Sequence, residues 1–154
     1  MGTELSPYRQ AVALYGEGVI GYIAGLVDGE GSIGAAVHNR KYSSRLKLQY
    51  LLQITNTDID ALEACQMVLG GKIYQLKQRG NSRPCYKLQI GDLRGLKRAI
   101  QIVLPYLIIK YDVAKLMLEL LDSLEEHYRQ RDSYTPREIE VITEIRALNK
   151  NGVI

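Results

Sequence analysis

The sequence is poor in the residues that most often carry chemistry. Two cysteines and two histidines occur in 154 residues. Cys65 and Cys85 have no metal-ligand spacing between them and no His nearby, so they read as reduced thiols of an intracellular protein. His38 and His127 each lack a second ligand at coordinating spacing, which sets aside a histidine-bound metal. No signal peptide, transit segment, low-complexity tract or membrane-length apolar run is visible. An intracellular protein with no membrane partner and no small-molecule substrate is expected, its 46% of hydrophobic residues enough for the core of one domain.

Acids are missing from two long stretches. Residues 32–57 contain none, but carry Arg40, Lys41, Arg45 and Lys47. Residues 64–91 contain none, but carry Lys72, Lys77, Arg79, Arg83 and Lys87. Over residues 112–144 the balance reverses, with nine acids against four bases. The net charge of +3 therefore hides a two-sided molecule, a basic face and an acidic back. A basic face free of acids points to a polyanion, most simply nucleic acid.

The chain is organised around residues 21–32. Ile23, Leu26 and Val27 follow a helical period. Gly21, Gly25 and Gly29 stand four apart and form one stripe without side chains on that helix. Each interior glycine costs a helix about 0.8–1 kcal/mol relative to alanine, so several on one face imply that another backbone approaches closely. The helix ends in Asp28 and Glu30, although a helix C-terminus already carries about half a negative charge. Positive charge must come from elsewhere, and a hard divalent cation on oxygen ligands is one source. The alternative is that Asp28 caps a neighbouring helix while Glu30 is solvated.

The run Ile23-Ala24-Gly25-Leu26-Val27-Asp28-Gly29-Glu30-Gly31 resembles the LAGLIDADG motif of homing endonucleases. Ser32-Ile33 after it is similar to the single-motif members. The resemblance implies that motif helices of two copies pack together through Gly21, Ile23, Ala24, Gly25, Leu26 and Asp28. It implies Glu30 as the ligand of a divalent metal at the scissile phosphate, the Gly29 carbonyl as a second ligand, and Asp28 as the more structural acid. Mg2+ is the expected cofactor, with Mn2+ or Ca2+ as other occupants. Family members of this size are typically intron-encoded.

The remaining order of elements agrees. Ser6-Pro7 reads as a helix start for residues 8–15, stopped by Gly16 and Gly18. From Ser32 the period becomes two, giving strands on either side of a turn at residues 39–44. Leu46, Leu48, Tyr50, Leu52 and Ile54 share one face of the second strand; Lys47, Gln49, Leu51, Gln53 and Thr55 share the other. A helix from Asp58 to the Gly70-Gly71 pair follows. A second hairpin places Lys72, Tyr74, Leu76 and Gln78 outward before a turn at Gly80-Asn81-Ser82. Asp92 caps a helix that Pro105 ends, residues 106–127 read as one long helix, and Thr135-Pro136-Arg137-Glu138 starts the last. The reading is a single α+β domain over residues 1–154, αββαββα, with a four-stranded antiparallel saddle-like sheet and helices on one face. Residues 1–16 form an N-terminal helical extension and 130–154 an extra C-terminal helix.

Only one acidic motif is present, whereas duplex DNA has two strands to cut, so a C2 homodimer on a long, nearly palindromic site is expected. The resemblance adds Lys110, after Pro105 and Tyr106, beside the active-site water, and Asn56 positioning that water; each also reads plainly as a residue at a helix entrance. Relatives carry a further basic residue where this chain has Asp60. Outward strand positions offer base contacts: Ser32, Ala36, His38, Arg40, Lys47, Gln49, Gln53, Thr55, Lys72, Tyr74, Lys87 and Gln89. Lys41, Arg45, Lys77, Arg79 and Arg83, near hairpin tips, suit phosphate. A splicing maturase or a non-cleaving DNA-binding protein of the same fold is the rival reading. A metabolic or structural protein whose glycine stripe is only a dimer seam is the other.

Overall fold

A computed structural model describes residues 5–39, 46–126 and 134–151. Helix α1 spans Pro7–Tyr15, and its Ser6 hydroxyl accepts the Arg9 N–H at 3.2 Å with Pro7 in the first turn. The motif lies on α2, Glu17–Glu30, which passes directly into β1, Gly31–Asn39. Then come β2 (Leu46–Asn56), α3 (Ile59–Leu69), β3 (Lys72–Gln75), β4 (Tyr86–Ile90) and α4 (Leu93–Val103). A single 3-10 turn, Leu104–Tyr106, leads to α5 (Tyr111–Glu126) and α6 (Pro136–Asn151). Caps set the starts: Asp58 accepts the N–H groups of Asp60 and Ala61, and Asp92 that of Gly95. Thr135 and Glu138 exchange hydrogen bonds at 2.9 and 3.1 Å, the capping box expected of α6.

The four strands form one antiparallel sheet in the order β1-β2-β4-β3. Register explains its two faces. Ile33, Leu52 and Ile90 lie side by side, as do Ile73, Leu88 and Ile54, and these rows meet the helices. Ser32, Gln53, Gln89 and Lys72 form a row on the opposite face, and Thr55, Lys87 and Tyr74 the next. One face is thus packed and the other polar, as for an antiparallel sheet with one wet side. The core is almost wholly aliphatic, with Ile20, Ile23, Leu62, Leu96 and Ile100 among its fully buried side chains. Helix α6 lies along the free edge of β1, where the Asn149 side-chain N–H donates to the Ile33 carbonyl at 2.8 Å. Among the described residues no single helix is long and apolar enough to cross a membrane.

Two details differ from the sequence reading. The strand expected to carry Leu76 and Gln78 ends at Gln75; Leu76 still donates to the Cys85 carbonyl, but Gln78 turns to the Ser82 carbonyl instead. Residues 107–110 are not the start of a long helix. Pro105 closes the 3-10 turn, Leu107 is extended at φ −73° and ψ 139°, and α5 begins only at Tyr111. What holds those residues off the helical path is part of the site below. The expected turn at residues 40–44 and the end of the 106–127 segment, at His127, lie outside the described residues.

Candidate active site

The C-terminus of α2 gathers the chemistry. Its last turn holds no basic residue, so its free carbonyls and its two acids share one negative end. The compensation comes from a segment 80 or more residues away. The Asp28 carboxylate accepts three successive backbone N–H groups, from Ile108 at 2.8 Å, Ile109 at 3.0 Å and Lys110 at 2.9 Å. In return the Lys110 ammonium donates to the Asp28 carbonyl at 2.7 Å. Acid and ammonium are crossed: each satisfies the other segment's backbone. Burial pushes the Asp28 carboxyl up, but the three N–H groups and the Lys110 charge outweigh it and hold the acid below its ordinary range. This clasp bends residues 107–110 away from a helix and fixes Lys110 on the end of α2.

Glu30, one turn-end further, is exposed. Its carboxylate accepts the Asn56 side-chain N–H at 2.5 Å. Asn56 is the last residue of β2, and its amide oxygen accepts the Asp58 N–H at 2.8 Å, which fixes which way the amide points. Asn56 therefore serves the α3 entrance and Glu30 together. Gly31 makes the juncture possible: a Cβ there would lie 2.8 Å from the Val27 carbonyl oxygen and 3.2 Å from that of Gln53. Only a residue without a side chain lets α2 turn so tightly into β1 beside β2, bringing Glu30 to Asn56. Beneath, Cys65 is fully buried, and burial first, with the Glu30 charge second, pushes its thiol up to about 11. It stays protonated and is not a ligand.

Hard oxygen donors at this place are the Glu30 carboxylate and, next to it, the Gly29 carbonyl. Among the described residues no three His, Cys, Asp or Glu side chains converge. One chain thus offers one free carboxylate, which fits Mg2+ as that ion is commonly held, by one or two carboxylates with the rest of its shell from water and phosphate oxygens.

The outer face of α2 is bare. Nothing lies within 4 Å of where a Cβ would stand on Gly25 or Gly29, and Tyr106 is 4.0 Å from that point on Gly21. Tyr22 and Val19 flank the stripe, 58% and 39% exposed, and beside the Asp28 clasp Ile108 and Ile109 are 85% and 74% exposed. Leu26 is half-buried. Ile23 and Ala24, expected at a helix-to-helix seam, are instead fully buried in the chain's own core, because they fall on the side of α2 opposite Gly25 and Tyr22. Val19, Tyr22 and the Ile108-Ile109 pair escaped the sequence reading; Tyr22 was legible from its i, i+3 spacing to Gly25 and Val19 from its i, i+3 spacing to Tyr22, the pair only from the fold.

Ser32, Ala36, His38, Lys47, Gln49, Gln53, Thr55, Lys72, Tyr74, Lys87 and Gln89 all occupy the sheet's polar face, with the Lys87 ammonium 5.9 Å from the centre of the Tyr74 ring. Lys77, Arg79 and Arg83 are exposed on the β3–β4 connection. Arg40, Lys41 and Arg45 lie outside the described residues. Asp60 is exposed in the first turn of α3, and its backbone N–H donates to Asp58.

A family model described as LAGLIDADG endonuclease matches residues 23–113, from the motif through Lys110 to the first turn of α5. The chain belongs to the LAGLIDADG endonuclease family. Solved LAGLIDADG structures share its fold. The archaeal intron-encoded homing endonuclease I-Vdi141I, complexed with DNA, is 20% identical and aligns over 87% of this chain and 86% of its own, with a TM-score of 0.70. The homing endonuclease I-CvuI, in complex with the I-CreI target and Mg, is 22% identical over 84% of this chain and 80% of its own, at a TM-score of 0.65. I-TnaI, another homing endonuclease, is 19% identical over 87% and 97%, at 0.64. No curated protein sequence matches the chain.

Proposed function

We propose that this LAGLIDADG protein is a sequence-specific DNA endonuclease that acts as a homodimer and hydrolyses both strands of a long, nearly palindromic site with Mg2+. The observation that carries the reading is the convergence of Glu30, Asn56 and Lys110 on one helix end, between a bare glycine face and an acid-free sheet face. One chain supplies one such constellation. A two-fold axis along the bare face of α2 supplies two, close together, as a two-stranded substrate requires. Burying the exposed Tyr22, Val19, Ile108 and Ile109 side chains would favour that contact.

Glu30 and the Gly29 carbonyl would hold the cation. The cation, when bound, supplies Lewis-acid polarisation of the phosphate and a more acidic water. Asn56 fixes the direction of the exposed Glu30 carboxylate through a hydrogen bond to one of its two oxygens. Lys110 offers a fixed positive charge to the phosphate as negative charge develops there. Neither must be reoriented by the substrate, since both are already held by backbone groups at 2.7–2.8 Å. The polar sheet face would lie in the major groove, with glutamines suited to adenine and lysines to guanine or phosphate.

The test is cleavage of a randomised duplex library by the full chain, in Mg2+ and in EDTA. Recovered double-strand ends sharing a two-fold symmetric sequence, only with Mg2+, are the expected result. Steeply salt-dependent binding with no cut in any divalent cation would leave the maturase or DNA-binding rival in place. No salt-dependent binding at all would remove nucleic acid from the account.

A further inference from the structure

The polar face of the sheet has one side chain that does not belong to it. Five successive positions of β2 point that way, and four are Lys47, Gln49, Gln53 and Thr55; the central one is Leu51. Its row is also singular. Leu51 pairs with Gly34 on β1, and the register of Leu52 with Ile90 places Gly91 opposite it beyond the end of β4. Leu51 is thus flanked by two residues without side chains, in a sheet whose adjacent row is Ser32, Gln53, Gln89 and Lys72. It lines a groove of about 760 Å³ beside β1, whose other apolar walls include Ala36, Ile109, Val113 and Leu148. The inner face has no use for this residue: its neighbours Tyr50 and Leu52 already point to the core.

A half-buried isobutyl group flanked by two glycines, with the Asn149 side chain 3.6 Å from where a Cβ on Gly34 would stand, is a shape for an apolar protrusion between two glutamines. In a major groove the only apolar group on a base edge is the thymine methyl. We propose that Leu51 reads a thymine methyl, and so sets specificity at one position in each half of the DNA site. The inference rests on the endonuclease reading. Same-face residues of a strand stand about 6.8 Å apart, or about two base-pair rises, so this thymine lies about two base pairs from those met by Gln49 and Gln53.

The test uses the site recovered from the randomised library by the full chain, with each thymine replaced in turn by deoxyuridine. Binding is measured by titration in Ca2+. Loss of one methyl per half-site should weaken the parent about four-fold for one half and about fifteen-fold for both, the value of a buried methyl. Leu51→Ala should bind parent and deoxyuridine sites alike while keeping its other base preferences and its salt dependence. A variant that misfolds leaves the deoxyuridine series on the parent protein as the deciding measurement. Indifference of the parent to every deoxyuridine substitution, or persistence of the effect in folded Leu51→Ala, overturns the assignment to Leu51 alone. If no sequence is enriched from the library, the DNA reading itself fails with it.

Discussion

Helix α2 has two faces that obey different rules. The inner face carries Ile20, Ile23, Ala24 and Val27, all fully buried, and every position is what packing against a sheet requires. The outer face carries Gly18, Gly25 and Gly29 with nothing near them, an exposed Tyr22, and at its end an exposed glutamate. For a chain that folds alone, the outer face is a loss: alanines would make a better helix, and a lysine a better end. Stability explains one side only. Where a sequence repeatedly departs from the choices that stabilise the single chain, the missing term lies outside that chain, and the proposed second backbone and cation would supply it. The same division marks the Asp28 and Glu30 pair. Asp28 spends its charge on three N–H groups inside the molecule, whereas the exposed Glu30 receives one side-chain N–H.

That division is open to direct attack. The largest effect should follow Glu30→Gln, which keeps the size of the side chain and removes the charge. Cleavage of the selected site should fall by at least about a hundred-fold, with the thermal midpoint unchanged to within a degree or two and DNA binding retained. Equal loss of cleavage and stability would make Glu30 a structural residue like its neighbour. Inward, Ile23→Ala should do the reverse. It removes a fully buried side chain and should cost about 2–5 kcal/mol in chemical denaturation, with activity per folded molecule preserved.

Asp28→Asn tests the clasp between these extremes. An amide presents only one acceptor oxygen to three donors, so one or more N–H groups of residues 108–110 are left short, at about 1–3 kcal/mol. The sign of the pH dependence follows from the depressed native pKa of Asp28. Its contribution is present in full above the carboxyl's unfolded value, about 3.9, and is lost as pH falls through the lower native value. Parent and variant should therefore differ in stability at pH 7 and converge in strong acid. Because Lys110 sits on the Asp28 carbonyl, the variant should also lose turnover more than DNA affinity. Stability curves parallel from pH 7 to pH 2 would mean that the carboxylate does not hold the segment.

The local signals in the sequence were sufficient for most of this architecture. Period-two alternation gave the β1–β2 hairpin and its two faces, and cap residues gave the starts of α1, α3, α4 and α6. The motif located the helix end. What local pattern could not show was contact at long range. Residues 107–109 are apolar enough to continue α5, but Asp28, 80 or more positions earlier, draws the N–H groups of Ile108, Ile109 and Lys110 aside. The acidic helix end needs positive charge, and part of that charge is Lys110 itself. Placement around α2 depends on the fold as well: Ile23 and Ala24 belong to the motif by sequence, yet a 100° step per residue turns them inward while Gly25 and Tyr22 turn out.

The smallest perturbation separates the two faces most sharply. Gly25→Ala adds a single methyl to a helical position with nothing within 4 Å. Within one chain this should be stabilising, by about 0.8–1 kcal/mol of helix propensity. If two copies of α2 touch along the glycines, the same methyl pushes their backbones apart, and self-association should weaken. The two readouts then move in opposite directions: a higher thermal midpoint in dilute protein, where the single chain dominates, and a higher dissociation constant by sedimentation. Dilution is needed because a dimer's apparent stability includes its concentration. A Gly25→Ala chain that gains stability and associates as tightly as the parent would place the partner elsewhere, and the glycines would lose the only explanation that accounts for their spacing.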